Sequence, residues 1–171
     1  MKKILVTGGS GFIGSHTCYS LLENNYDLFV IDSLTNSNIK SIERIKNMFM
    51  NKKINMSEKL KFFKGDLRNK KFLDSIFEKA NEEGKAIEGV VHFAGLKDVS
   101  ESIANPFLYW ENNVLGSFNL LKSMDENNCK NIVFSSSATV YGTATDDLIR
   151  ESSKICPINP YGSTKLAVEN L

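Results

Sequence analysis

Tyr161 and Lys165, within Pro160-Tyr161-Gly162-Ser163-Thr164-Lys165, stand four residues apart, which sets a phenol and an ammonium on one helix face. A free phenol titrates near ~10 and is a poor base at neutral pH, but a fixed cation close by lowers such a value by roughly 1–3 units. The chemistry offered is that of a base active near neutral pH. The serine run Ser135-Ser136-Ser137 lies about two dozen residues upstream of the pair. Tyr-x-x-x-Lys also arises by chance in many helices, so its meaning rests on what lies elsewhere in the chain.

At the other end, Thr7-Gly8-Gly9-Ser10-Gly11-Phe12-Ile13-Gly14 follows an apolar run and opens a helical pattern, with glycines spaced G-x-x-G-x-x-G at Gly8, Gly11 and Gly14. Glycines there permit a tight turn, close approach of backbone to a pyrophosphate, and helix-to-strand packing. The helix start supplies free N–H groups to the anion. Asp32 closes the second apolar run, where a carboxylate would accept hydrogen bonds from ribose hydroxyls and repel a 2′-phosphate, favouring NAD over NADP. Capping the turn that begins at Ser33 is the alternative role. Asp66 in Gly65-Asp66-Leu67 reads equally as an adenine contact or a turn aspartate. Phe93-Ala94-Gly95 leaves small residues where a sheet edge must approach a cofactor.

The elements that must position these groups alternate. Apolar runs at Ile4-Leu5-Val6, Leu28 to Ile31, Leu60 to Phe63, Val90 to Phe93 and Ile132 to Phe134 are nearly continuous, as strands buried on both faces of a parallel sheet are. Helical patterns fall at about 13–24, 38–50, 70–83, 106–127 and from 161 onward. The predicted fold is α/β, a Rossmann-type doubly wound parallel sheet with helices on both faces. A sheet of six or seven strands would need material beyond Leu171. One NAD-binding domain over 1–171, truncated before its last strands and its substrate domain, is therefore expected. Lys46 to Lys61 reads as a helix end followed by an exposed loop.

The chain of 171 residues is 42% hydrophobic and 24% charged, ordinary for a soluble domain. Its 21 basic and 20 acidic residues are scattered and nearly cancel, which predicts neither nucleic-acid nor membrane binding. Cys18, Cys129 and Cys156 are widely separated and lack histidines at ligand spacing, so reduced thiols, a cytoplasmic setting and no metal are expected. No secretory or membrane-spanning segment is read. His16 and His92 are expected to be packing residues, and Trp110 and the methionines fillers of core or surface.

Taken together, the glycine cradle, Asp32, Gly65-Asp66, His92-Phe93-Ala94-Gly95-Leu96-Lys97, Asn112-Asn113-Val114, Ser135 to Gly142 and Tyr161/Lys165 resemble the extended short-chain dehydrogenases/reductases, and among them the nucleotide-sugar 4-epimerases. The resemblance spans nearly the whole chain, whereas a full member is about twice as long. It implies an isomerase using NAD on UDP-glucose and UDP-galactose through a 4-keto sugar, with Tyr161 as base, Lys165 as its cationic partner and ribose ligand, and Ser137 bonded to the same oxygen. It further implies backbone contacts from Phe12 and Ile13 to the pyrophosphate. Asp32, Ser33, Leu34, Thr35, Asn36 and Ser37 would surround the adenosine ribose, and Asp66 and Leu67 would meet the adenine. Phe93, Ala94, Gly95, Lys97 and Asn112 would lie at the nicotinamide end, with Lys97 also near the sugar. A homodimer of the full-length protein is implied as well. Related dehydratases carry an Asp-Glu pair after the catalytic Ser or Thr; here Ala138 and Thr139 stand there, and neither is an acid at neutral pH. A dinucleotide-binding module without turnover is the alternative for the isolated chain.

Overall fold

A computed structural model describes residues 2–51, 58–143 and 148–171. Five strands, β1 (Lys3–Thr7), β2 (Asp27–Asp32), β3 (Leu60–Lys64), β4 (Ile87–His92) and β5 (Ile132–Phe134), pair in parallel in the order β3-β2-β1-β4-β5. The order reverses direction between β1 and β4, so the crevice of this doubly wound sheet opens above their carboxyl ends. β4 begins three residues before the apolar run suggests, because Glu88 and Gly89 interrupt its hydrophobicity; its pairing to β1 resumes at Gly89 after a register shift that skips Glu88.

The period-two alternation of the strands divides the core between two faces. Leu5, Phe29 and Ile31 point to one face and meet Leu73, Ile76 and Phe77 of α3 (Lys70–Glu82) and Leu120 and Met124 of α6 (Gly116–Glu126). Val6, Leu28 and Val30 point to the other and meet Cys18 and Leu22 of α1 (Phe12–Glu23) and Ile42, Ile45 and Phe49 of α2 (Lys40–Asn51). Each large side chain buried this way contributes about 1.5–3 kcal/mol. β3 and β5 are the edge strands, and on β5 Val133 remains 65% exposed.

The long helix expected over 106–127 is present with an irregularity. It runs as α5 (Pro106–Tyr109), a π-helical turn over Trp110–Leu115, and α6. Two short elements escape periodicity altogether: α4 (Val99–Ala104) and a 3-10 turn over Ala138–Tyr141. The last helix, α7 (Pro160–Glu169), starts at Pro160 and is capped by Asn159, whose Oδ1 accepts from Gly162 N at 2.8 Å. The helix end expected after Lys46 falls at Asn51; the loop expected beyond it lies mostly outside the described residues.

Charged pairs gather at the amino ends of the strands. Lys3, almost wholly buried, bonds Glu83 at 2.9 Å and lies 4.1 Å over the Phe29 ring; Lys61 reaches the other Glu83 oxygen at 2.9 Å. Lys85 bonds the buried Asp27 at 2.7 Å.

Candidate functional site

The carboxyl ends of the strands open into a cleft of about 500 Å³ whose lining joins both ends of the sequence. Its floor begins where β1 passes into α1. Gly8 has φ +68, and a Cβ there would sit 2.6 Å from Ala94 N; at Gly14 it would sit 2.3 Å from Gly8 O. Only glycine allows the turn and the helix to come so close. Helix α1 starts without a side-chain cap, unlike α3, α4 and α7, and has no acidic residue in its first turn. Its leading residues Phe12, Ile13 and Gly14 line the cleft with Gly8 and Gly11, a favourable setting for an anion.

Asp32 is buried at the end of β2 and does two jobs. Its Oδ2 accepts from Ser10 N at 2.9 Å, while its Oδ1 accepts from Leu34 N at 2.9 Å and Ser37 Oγ at 2.7 Å. The carboxylate thus ties the glycine loop to the turn after β2, and it keeps acceptor capacity toward the cleft it lines. Ser33, Thr35, Asn36 and Ser37 line the same end. Leu34 is not in the lining; it sits at φ +61 and contributes its N–H to Asp32 instead. Across from them Asp66 and Leu67 line the wall, with the Asp66 carboxylate gripped by Arg68 and held below its usual titration range by that bond.

At the far end, Phe93, Ala94, Gly95, Lys97 and Asn112 meet Tyr161 and Lys165. The i, i+4 pair does share one face of α7, and both residues are buried. Lys165 Nζ donates to Ser135 O at 2.9 Å, lies 4.7 Å over the Phe134 ring and 5.8 Å over the Tyr161 ring; burial pulls its ammonium down to about 8. Of the serine run, Ser135 and Ser136 line the cleft and Ser137 does not. The Ser137 hydroxyl caps the 3-10 turn, accepting from Thr139 N at 3.3 Å and Thr139 Oγ1 at 2.9 Å. It becomes available to a substrate oxygen only in exchange for, or in addition to, that bond.

Several positioning residues carry no motif of their own. Asn113 is buried in the π turn. Its Oδ1 accepts from Leu96 N at 2.8 Å, and its Nδ2 donates to Leu96 O at 3.0 Å and to Thr164 Oγ1 at 3.1 Å. Thr164 Oγ1 in turn donates to Tyr161 O at 2.7 Å, so one amide fixes the Gly95-Leu96 loop against the helix that carries the tyrosine. His92 does more than pack: its Nδ1 is 2.6 Å from Thr7 Oγ1 and its Nε2 2.8 Å from Ser117 Oγ, which donates to Asn113 O at 2.5 Å. Burial, with the Lys165 cation adding to it, pushes His92 down to about 3. His16 departs from the expectation of a packing residue, since it is exposed and touches the Phe12 ring edge-on at 5.0 Å. The neighbouring asparagines in Asn112-Asn113 were the visible hint of the first of these contacts.

An uncapped helix start, a glycine cradle that a Cβ would fill and a carboxylate one strand away fit a dinucleotide laid across the strand ends. Asp32 would repel a 2′-phosphate on it. Among the described residues no cluster of His, Cys, Asp or Glu is arranged to hold a metal, and no helix is long and apolar enough to cross a membrane.

The chain matches the family described as GDP-mannose 4,6 dehydratase over residues 5–171. It is 45% identical over 170 residues to a bifunctional UDP-glucose 4-epimerase and UDP-xylose 4-epimerase of Pisum sativum, and 45% identical over 168 residues to a UDP-glucose 4-epimerase of Bacillus subtilis. These alignments take in 99% and 98% of the chain but 46% of either relative, so the chain spans about half their length. Among solved structures, it superposes with a TM-score of 0.88 and 39% identity on the UDP-glucose 4-epimerase of Bifidobacterium longum in complex with NAD+ and UDP, covering 99% of this chain and 47% of that one.

Proposed function

This chain belongs to the GDP-mannose 4,6 dehydratase family, and from that premise we propose that it is the NAD-binding part of a UDP-glucose 4-epimerase interconverting UDP-glucose and UDP-galactose. The observation that carries the reading is one cleft that gathers the cradle of Gly8, Gly11 and Gly14, the carboxylate of Asp32 and the buried Tyr161/Lys165 pair. Dinucleotide and proton acceptor then meet at a single place.

A bound nicotinamide supplies a reversible acceptor for the hydride of sugar C4. The rest falls to side chains. Tyr161 takes the proton of the 4-hydroxyl, and Ser137 bonds the same oxygen. Lys165, anchored on Ser135 O, sets its ammonium beside the phenol and the nicotinamide ribose. Lys97, exposed at the cleft mouth, meets the nucleotide-sugar. Tyr161 would give its proton back to the C4 oxygen as the hydride returns to the opposite face of the sugar, so that C4 is inverted and the tyrosine ends as it began.

The family's description names a dehydration, which needs an acid and a base beside the catalytic Ser or Thr. Ala138 and Thr139 supply neither, and this favours epimerisation; a 4-epimerase of another nucleotide sugar is the runner-up. A chain spanning 46% of its relatives favours a second reading for the isolated polypeptide, namely binding of NAD without turnover, the sugar-binding region belonging to the longer protein. The exposed Phe107 of α5, Trp110 of the π turn and Phe118 of α6 support a homodimer of that longer protein. Three free cysteines support a reducing, cytoplasmic setting.

The test is NAD binding and UDP-galactose conversion by this chain, and by a protein carrying it at the relatives' length. Binding by both and conversion by the longer one alone are expected. In the longer protein Tyr161→Phe should keep NAD affinity while turnover falls by about 10²–10⁴; retention of most turnover overturns the assignment.

A further inference from the structure

A second phenol stands against the Tyr161 ring, and none of the motifs includes it. Tyr109 ends α5, is fully buried and does not line the cleft. The two ring centroids lie 6.4 Å apart with the planes at 82°, an edge contact within the range in which aromatic pairs attract. The Tyr109 hydroxyl donates to Glu101 Oε2 at 2.8 Å, so this ring is held at its polar end as well as by packing. Glu101 is itself fixed in α4: its N–H donates to the capping Asp98 Oδ1 at 2.9 Å, and its carbonyl accepts from Asn105 N at 2.8 Å. Asp98 directly follows Lys97 of the cleft lining. Burial, and after it the Glu101 carboxylate, pushes the Tyr109 phenol up, which keeps it a donor in the neutral range and leaves proton exchange to Tyr161. The bonds from Asn113 through Thr164 fix the Tyr161 backbone; what remains to be set is the direction of its ring.

We infer that Tyr109, tethered to Glu101, is a positioning residue for Tyr161, holding that phenol in the single orientation from which it serves the cleft. The inference rests on the reading of Tyr161 as proton acceptor and deepens it by bringing in α4, which carries the tether. Released from Glu101, the Tyr109 ring turns and the Tyr161 ring follows it into more than one orientation. Turnover is sensitive to this, because a misplacement of about 1 Å costs on the order of 10² in rate.

Two measurements test the inference. In the 171-residue chain with isotope-labelled tyrosine rings, the Tyr161 resonances are those lost in Tyr161→Phe. The unsubstituted chain should show one set of them, Glu101→Ala a shifted or multiple set, and Glu101→Gln, which keeps an oxygen acceptor, the original set. In a protein of the relatives' length, Glu101→Ala and Tyr109→Phe should each lower kcat by about 10- to 100-fold while KM and NAD affinity stay within about threefold. The double variant should fall no further than either single one, since both remove the same bond. Glu101 is exposed and Tyr109→Phe deletes only the hydroxyl, so these variants keep the core filled. Unchanged Tyr161 resonances in Glu101→Ala, kcat within about threefold in both single variants, or a loss of NAD affinity as large as the loss of kcat overturns the inference; the last is what a merely structural role would give. Failure of the unsubstituted longer protein to convert UDP-galactose overturns the epimerase reading instead, and the resonances of the shorter chain then decide the positioning by themselves.

Discussion

Burial holds His92 neutral between Thr7 and Ser117, so protonating it means placing a charge in the core close to the Lys165 ammonium. Unfolded, the imidazole titrates near ~6.5; folded, it is pushed down to about 3. The unfolded chain therefore binds the extra proton first. Stability is fully present above about pH 6.5 and falls by up to ~1.4 kcal/mol for each pH unit below it, until the folded group titrates as well. Between pH 7 and pH 4 the Tm of the unsubstituted chain should drop more steeply than that of His92→Gln, and parallel slopes would show that the ring is not the sensor. At this scale the sequence reveals residues that chemistry restricts to a few types, such as Asp32 and the Tyr161/Lys165 pair. It conceals those whose work depends on distant partners: His92 and Tyr109 have ordinary neighbours in the chain, and only the fold brings Ser117 to one and Tyr161 to the other. Ser137 shows the opposite difficulty, because its motif is plain while its hydroxyl is engaged by Thr139.

Among the elements, the π turn has the most direct influence on the cleft. A π turn carries one residue more than an α turn. It places Asn113 inward, against Leu96 and Thr164, while adjacent Asn112 reaches the cleft lining. Asn113→Ala would strip partners from Leu96 N, Leu96 O and Thr164 at about 1–3 kcal/mol for each buried group left unsatisfied. Thermal denaturation should register that loss and find a much smaller one for Asn112→Ala, whose amide donates to Leu108 O at an exposed position. Equal losses would mean that the loop and α7 are not joined through this residue. Strands and long helices were legible within a few residues because burial imposes periods of two and of about 3.6. The π turn was not, since one extra residue in a helix leaves composition and apolar spacing almost unchanged. α4 and the 3-10 turn at Ala138–Tyr141 are too short for any period to register.

For the whole molecule, the sheet's open side at β5 is the main exposure. Val133 lies on an edge strand at 65% exposure beside the partly exposed Ile132, a template for pairing with another chain. Val133→Lys should lower self-association of the 171-residue chain in concentration-dependent light scattering while changing stability by no more than about 0.5 kcal/mol. Unchanged scattering would place the association elsewhere, with the apolar face around Phe107 and Phe118 the first alternative. The parallel sheet also sorts its polar groups by direction. Every strand delivers its carboxyl end to the cleft, while Lys3, Asp27, Lys61, Glu83 and Lys85 pair at the amino ends. One rim of the molecule is therefore anchored by charge and the other is given over to chemistry, with the packed core between them. Substitutions that raise or lower heat tolerance can accumulate at the amino rim without altering what the carboxyl rim recognises, so durability and specificity are free to evolve as separate traits.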